Sequence, residues 1–125
     1  MAGEYNTVAY RNGDGVVVLS EQTAVTQFTS ITTGVTCSNY SGVITTVSQT
    51  VAAGAEAEFV VTNALVRATD VVVACIKTHT SAGEFIVGVS AVANGSFRLR
   101  LTNLHSANAG NNVLVINFAV IPVRP

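Results

Sequence analysis

The side chains able to do chemistry in this 125-residue sequence are few and scattered. His79 and His105 are its only imidazoles. Neither stands at metal-ligand spacing from a cysteine or from the other, and each sits among Thr, Ser or Asn in a stretch that reads as a loop. A solvated role is expected for both. In Thr78-His79-Thr80-Ser81 a histidine adjoins hydroxyls, but nucleophilic catalysis needs a base within hydrogen-bond reach and an orienting acid, and adjacency along a strand end supplies neither. Cys37 and Cys75 allow one disulfide at most, and the burial habit of free cysteine favours two reduced, packed thiols. Glu56 and Glu58 share a strand face, where paired carboxylates could hold a divalent ion or act as general acid and base. Two surface carboxylates beside a strand start are usually solvated, and the more pointed alternative is pairing with Arg98 and Arg100, which repeat that spacing with the opposite charge. Asp14 in Asn12-Gly13-Asp14-Gly15 lacks the further acidic positions of a calcium loop and reads as a turn. The residues name no reaction: a non-enzymatic protein with no cofactor and no metal is expected.

Composition narrows the classes that remain. Hydrophobic residues make up 49% of the chain and charged residues only 10%, against a usual charged share of roughly 25%. With a mean hydropathy of +0.48, part of the surface is expected to be covered by other copies or by a partner. The formal net charge of −1 provides no basic field for phosphate neutralisation, so direct binding to nucleic acid is not expected. No apolar run approaches the roughly 18 residues of a membrane span, and the start has neither the basic patch nor the apolar stretch of a secretory signal. A soluble, cytoplasmically made chain with no membrane partner is the expectation.

The elements that position these residues read as strands throughout. Val, Ile and Thr alternate with polar residues between Gly, Asn and Ser clusters, and no segment carries a helical period. Residues 1–15 read as a polar N-terminal arm closed by the Asn12–Gly15 turn, and residues 16–125 as one domain. Strands are expected at residues 16–19, 24–29, 34–37 and 42–48, and more clearly at 57–62, 70–78, 84–91, 96–102 and 112–123. Asn94-Gly95 is the strongest hairpin signal. Phe97, Leu99 and Leu101 should face a core and Arg98 and Arg100 the other side, whereas residues 71–76, with no polar alternate, should form a strand that is central or covered on both sides. Pro122 and Pro125 suit a final strand at a sheet edge. Phe28, Phe59, Phe85, Phe97 and Phe118 are core candidates. About eight short strands with one-faced burial predict an all-β, antiparallel two-sheet β-sandwich, jelly-roll-like in type.

One segment is used twice. Phe59-Val60-Val61-Thr62-Asn63 returns forty residues later within Arg98-Leu99-Arg100-Leu101-Thr102-Asn103, and each copy precedes a second apolar run, residues 71–76 and 113–121. In this alignment Glu58 corresponds to Arg98, so the two units present opposite charges at equivalent positions. Charge complementarity across the sheet or between subunits follows, with Glu56, Glu58, Arg98 and Arg100 as the candidate subunit interface.

The run Ala53-Gly54-Ala55-Glu56-Ala57-Glu58-Phe59-Val60-Val61-Thr62-Asn63, followed by Ala68-Thr69-Asp70-Val71-Val72-Val73, resembles small virion proteins of tailed bacteriophages. So does Ala93-Asn94-Gly95-Ser96-Phe97-Arg98-Leu99-Arg100-Leu101-Thr102-Asn103 with Asn112-Val113-Leu114-Val115-Ile116-Asn117-Phe118. The likeness covers about residues 50 to 121 and consists of strand and turn patterns. It implies a sandwich on the exterior of a virion, most like a capsid decoration (cement) protein that bridges subunits of the major capsid protein and assembles with itself, as a homotrimer. A head-fibre, tail-fibre or host-receptor-binding module is the alternative it implies. The family brings no catalytic residues. Under this reading the arm, with Glu4, Tyr5, Tyr10 and Arg11, is the candidate for capsid contact.

Overall fold

A computed structural model describes residues 8–12, 15–19, 23–79 and 84–123, and in them the chain forms twelve strands and no helix. They are β1 (Val8–Asn12), β2 (Gly15–Leu19), β3 (Thr23–Thr26), β4 (Val35–Thr36), β5 (Ser41–Thr45), β6 (Gln49–Val51), β7 (Glu56–Thr62), β8 (Val71–His79), β9 (Phe85–Ala93), β10 (Ser96–Asn103), β11 (Gly110–Asn112) and β12 (Leu114–Ile121). Eight of them build two four-stranded sheets, ordered β4-β7-β10-β9 and β3-β5-β12-β8, while β11-β6 and β1-β2 form separate pairs. The all-β, two-layer sandwich expected from the alternation is present. The chain changes sheet between most successive strands of the two layers, and only β9 and β10 are hydrogen-bonded neighbours joined directly as a hairpin within one of them.

Alternation explains the core. On β10, Phe97, Leu99, Leu101 and Asn103 are buried while Arg98 and Arg100 are exposed; on β7, Ala57, Phe59 and Val61 are buried. From the other layer β12 contributes Leu114, Ile116, Phe118 and Val120, and β5 contributes Ile44. The Phe97 and Phe118 rings meet across the layers at 5.1 Å with a 60° tilt, an arrangement suited to the ring quadrupoles. Gly42 on β5 admits this packing, because a Cβ there would lie 2.6 Å from both Cys37 Sγ and Phe118 Cε1.

The sequence echo becomes a local two-fold relation. Phe59 pairs with Leu99 across β7 and β10, and Ile76 pairs with Ile116 across β8 and β12, so residues forty apart face each other in both sheets. The repeated asparagines do the same work at opposite ends. Both are fully buried. Asn63 Oδ1 accepts the Leu65 N–H at 3.0 Å and its Nδ2 donates to the Asn39 carbonyl; Asn103 Oδ1 accepts the His105 N–H at 3.0 Å and its Nδ2 donates to the Val51 carbonyl. Each side chain turns the chain out of its strand and clamps another segment.

Several expectations are corrected. Residues 71–76 lie on β8, an edge strand rather than a central one, with Val71, Val73 and Cys75 exposed. The last strand, β12, is central rather than at an edge; Pro122 falls just beyond it and removes no ladder bond. Phe28 is 82% exposed and Phe85 only partly buried, leaving Phe59, Phe97 and Phe118 in the core. Cys37 is buried, but Cys75 is an exposed free thiol. Two outer pairs, β3 with β5 and β4 with β7, are parallel, because the chain crosses to the other layer between their members. In the Asn94-Gly95 turn only Gly95 takes positive φ, at 85°; Asn94 instead accepts the Ala68 N–H on its Oδ1. Val8–Asn12, within the polar segment, is a strand paired with β2, with Asn12 opposite Gly15.

Candidate functional site

The two sheets turn outer faces of opposite character to solvent. On the β4-β7-β10-β9 sheet, the antiparallel register sets Glu58 opposite Arg100 and Glu56 opposite Thr102. Glu58 is the hub: its Oε1 accepts from Arg98 Nη1 at 3.0 Å, and its Oε2 accepts from Arg100 Nη2 at 3.1 Å and from the Ser90 hydroxyl. Ser90 reaches it from β9, two strands away. The register shift between Arg98 and Leu99 leaves Ser90 as an extra residue on β9, and such a bulge re-aims a side chain. Arg100 Nε also lies 3.4 Å from Glu56 Oε1. The Ser90 bond first, then the two guanidinium groups, hold the Glu58 carboxyl below its usual range, against an opposing effect of desolvation. All four residues of the candidate subunit interface are therefore brought together, but they pair across strands of one chain. Two carboxylates facing two guanidinium groups carry no net charge, so this face is organised and neutral rather than anion-seeking.

On the outer side of the β3-β5-β12-β8 sheet, the β8-β12 edge around Val71, Val73 and Ile121 is apolar. Val71, Val73 and Ile121 are 46%, 48% and 50% exposed, and the exposed Cys75 stands beside them. The register places Val71 opposite Ile121, Val73 opposite Ala119 and Cys75 opposite Asn117. Between β8 and β12 opens a shallow hollow of about 210 Å³, lined by Val73, Ala74, Cys75, Asn117, Phe118 and Ala119. Asn117 Oδ1 is itself buried, without a hydrogen-bond partner. Sequence reasoning missed this face, although the signal was present. Both β8 and β12 carry apolar residues on alternate as well as successive positions, and a run of that kind marks an edge strand awaiting cover as readily as a central one.

The remaining candidates have local roles. His105 Nδ1 accepts the N–H groups of Ala107 and Asn108 at 3.1 and 2.8 Å and so shapes its own loop; His79 is exposed at the end of β8. Among the described residues no three His, Cys, Asp or Glu side chains gather where they could hold a metal ion. Burial pushes the Cys37 thiol up from its ordinary value, the setting of a packing residue rather than of a nucleophile. Of the arm residues named for capsid contact, Glu4 and Tyr5 lie outside the described residues, and Tyr10 and Arg11 fall on β1. Asp14 also lies outside them.

In comparison with known proteins, the chain matches no family model, no curated protein and no solved structure.

Proposed function

We propose that this chain is a non-enzymatic structural protein of a tailed-phage virion, a capsid decoration protein that binds the assembled shell and bridges its subunits. The observation that carries the reading is the exposed apolar outer face of β8 and β12 on a small, charge-poor sandwich. Such a face is stabilised by cover, and a shell offers many identical surfaces to cover it. Binding to the assembled shell but not to its free subunits stabilises the shell by mass action, without any reaction. The resemblance of residues 50 to 121 to small virion proteins supports the same reading. The segment containing Glu4, Tyr5, Tyr10 and Arg11 is the candidate for shell contact by strand addition, and contacts between copies complete the cover.

Electron microscopy of particles from a phage that encodes the chain, with the chain labelled, tests this. Density at many equivalent positions over the shell is the expected result. Density confined to fibres replaces the reading with that of a fibre or receptor-binding module, and particles free of the chain refute both.

A further inference from the structure

Asn94-Gly95 and Asn12-Gly13 are the two Asn-Gly pairs of the sequence. In such a pair the side-chain amide is open to attack by the next backbone nitrogen, because glycine places no Cβ beside that nitrogen. At Asn94 the N–H bond of Gly95 breaks, its nitrogen bonds to Asn94 Cγ, and the side-chain nitrogen takes up that proton and leaves as ammonia. Water opens the resulting cyclic succinimide at either carbonyl, which leaves aspartate or isoaspartate at position 94. The reaction consumes only water. Three hydrogen bonds from one segment, residues 63–68, bear on this pair. Gly95 N–H donates to the Val66 carbonyl at 2.9 Å, the Gly95 carbonyl accepts the Asn63 N–H at 2.9 Å, and Asn94 Oδ1 accepts the Ala68 N–H at 2.9 Å. The segment is itself anchored, since Asn63 is fully buried and the Val66 side chain belongs to the core.

We propose that Asn94 is a latent modification site, protected while residues 63–68 lie against the turn between β9 and β10 and deamidated when they lift away. For attack, the Gly95 nitrogen must leave the Val66 carbonyl, and the peptide plane between Asn94 and Gly95 must turn until nitrogen and Cγ meet in a reactive orientation. The bonds at the Gly95 N–H and carbonyl oppose that turn. Taken alone, the Ala68 N–H favours reaction, because it would stabilise negative charge developing on Asn94 Oδ1. The hold on the nitrogen decides, since no charge develops before the nitrogen attacks. Reaction at Asn94 therefore waits on a local opening of this end of the sandwich, in which Val66 leaves the core. The product matters because β9 and β10 are joined by a two-residue loop, with Ala93 paired to Ser96. Isoaspartate adds a carbon to the backbone of that loop, and either product adds a negative charge. The proposal concerns the single chain and does not depend on the shell reading.

Peptide mapping by mass spectrometry, on chain kept for weeks in mildly alkaline buffer, reads the conversion at residue 94. In the folded chain it should be about ten-fold or more slower than in the same chain unfolded in urea, the effect of hydrogen bonds of ordinary strength that must first be broken. Val66→Ala keeps every atom of the reacting pair and loosens the anchor. It should speed conversion at residue 94 in buffer and leave the rate in urea unchanged, and Asn12-Gly13, read in the same maps, should not follow it. Should Val66→Ala fail to fold, hydrogen exchange of the parent is the second measure, and its Gly95 N–H should be protected. A folded chain that converts as fast as the unfolded one, or faster, overturns the proposal. So does an unprotected Gly95 N–H, a folded Val66→Ala chain that converts as slowly as the parent, or an acceleration that Asn12 shares.

Discussion

Glu58 shows how one residue can organise a surface without making it reactive. Its carboxylate accepts from Ser90, Arg98 and Arg100, three donors drawn from β9 and β10, and its titration is shifted downward as a result. A carboxyl whose folded value lies below its unfolded value, about 4.3 for glutamate, contributes stability above that unfolded value and loses it as pH falls through the folded one. The melting temperature should therefore fall between about pH 4.3 and the lowered value of Glu58, and Glu58→Gln should flatten that part of the profile. An acid slope in Glu58→Gln equal to that of the parent would show that the cluster contributes nothing there. A tight steric point is Gly42, where a methyl group would meet Cys37 Sγ and Phe118 Cε1 at 2.6 Å. Overpacking of this kind costs about 1–3 kcal/mol, so Gly42→Ala should lower the urea midpoint. Gly88→Ala, facing open space, should leave it unchanged or raise it.

Strands and turns obey local rules closely, which is why so much of the fold is legible in the sequence. Alternation on β10 puts Phe97, Leu99 and Leu101 inward and Arg98 and Arg100 outward, and the Thr-Asn echo marks two strands that are antiparallel neighbours. Strand order is set by contacts distant in sequence, and periodicity carries no record of them. A run such as Val71-Val72-Val73 looks the same whether its second face meets protein or water, so the pattern suggests a central strand where β8 is an edge and hides the apolar face. Phe28 misleads for the same reason: an aromatic residue near a strand suggests a core, but the chain has already left β3. The asparagines are visible as an echo, but their role is not, because the carbonyls that they clamp, Asn39 and Val51, lie 24 and 52 residues away. Asn63→Ala and Asn103→Ala each leave a buried carbonyl without its donor, at about 1–3 kcal/mol each. Both should destabilise the chain in urea, while Asn94→Ala, at an exposed turn, should cost less. Equal midpoints for all three would remove the clamp role.

At the scale of the whole molecule, the two outer faces make different demands on a partner, and the difference can be measured. The Glu56, Glu58, Arg98 and Arg100 face is neutralised internally, so a partner would have to break existing ion pairs to use it. The face of Val71, Val73 and Ile121 gives up only water when covered. Association, with other copies or with a shell, is therefore expected through the apolar face, and salt distinguishes the two. At about 1 M ionic strength the screening length falls to about 3 Å, which weakens contacts between charged faces, whereas burial of apolar surface persists. The associated fraction should be retained in about 1 M NaCl and should fall on Val73→Lys. Because Val73 is exposed in the single chain, that substitution should shift the chain's own stability by only about 0.5 kcal/mol. Val72→Lys, one residue earlier and buried in the core, should unfold the chain outright, showing that the face rather than the strand is what the exposed position tests. Association that dissolves in salt, resists Val73→Lys and disappears in Arg98→Ala would place the contact on the charged face and reverse this assignment of the two sides.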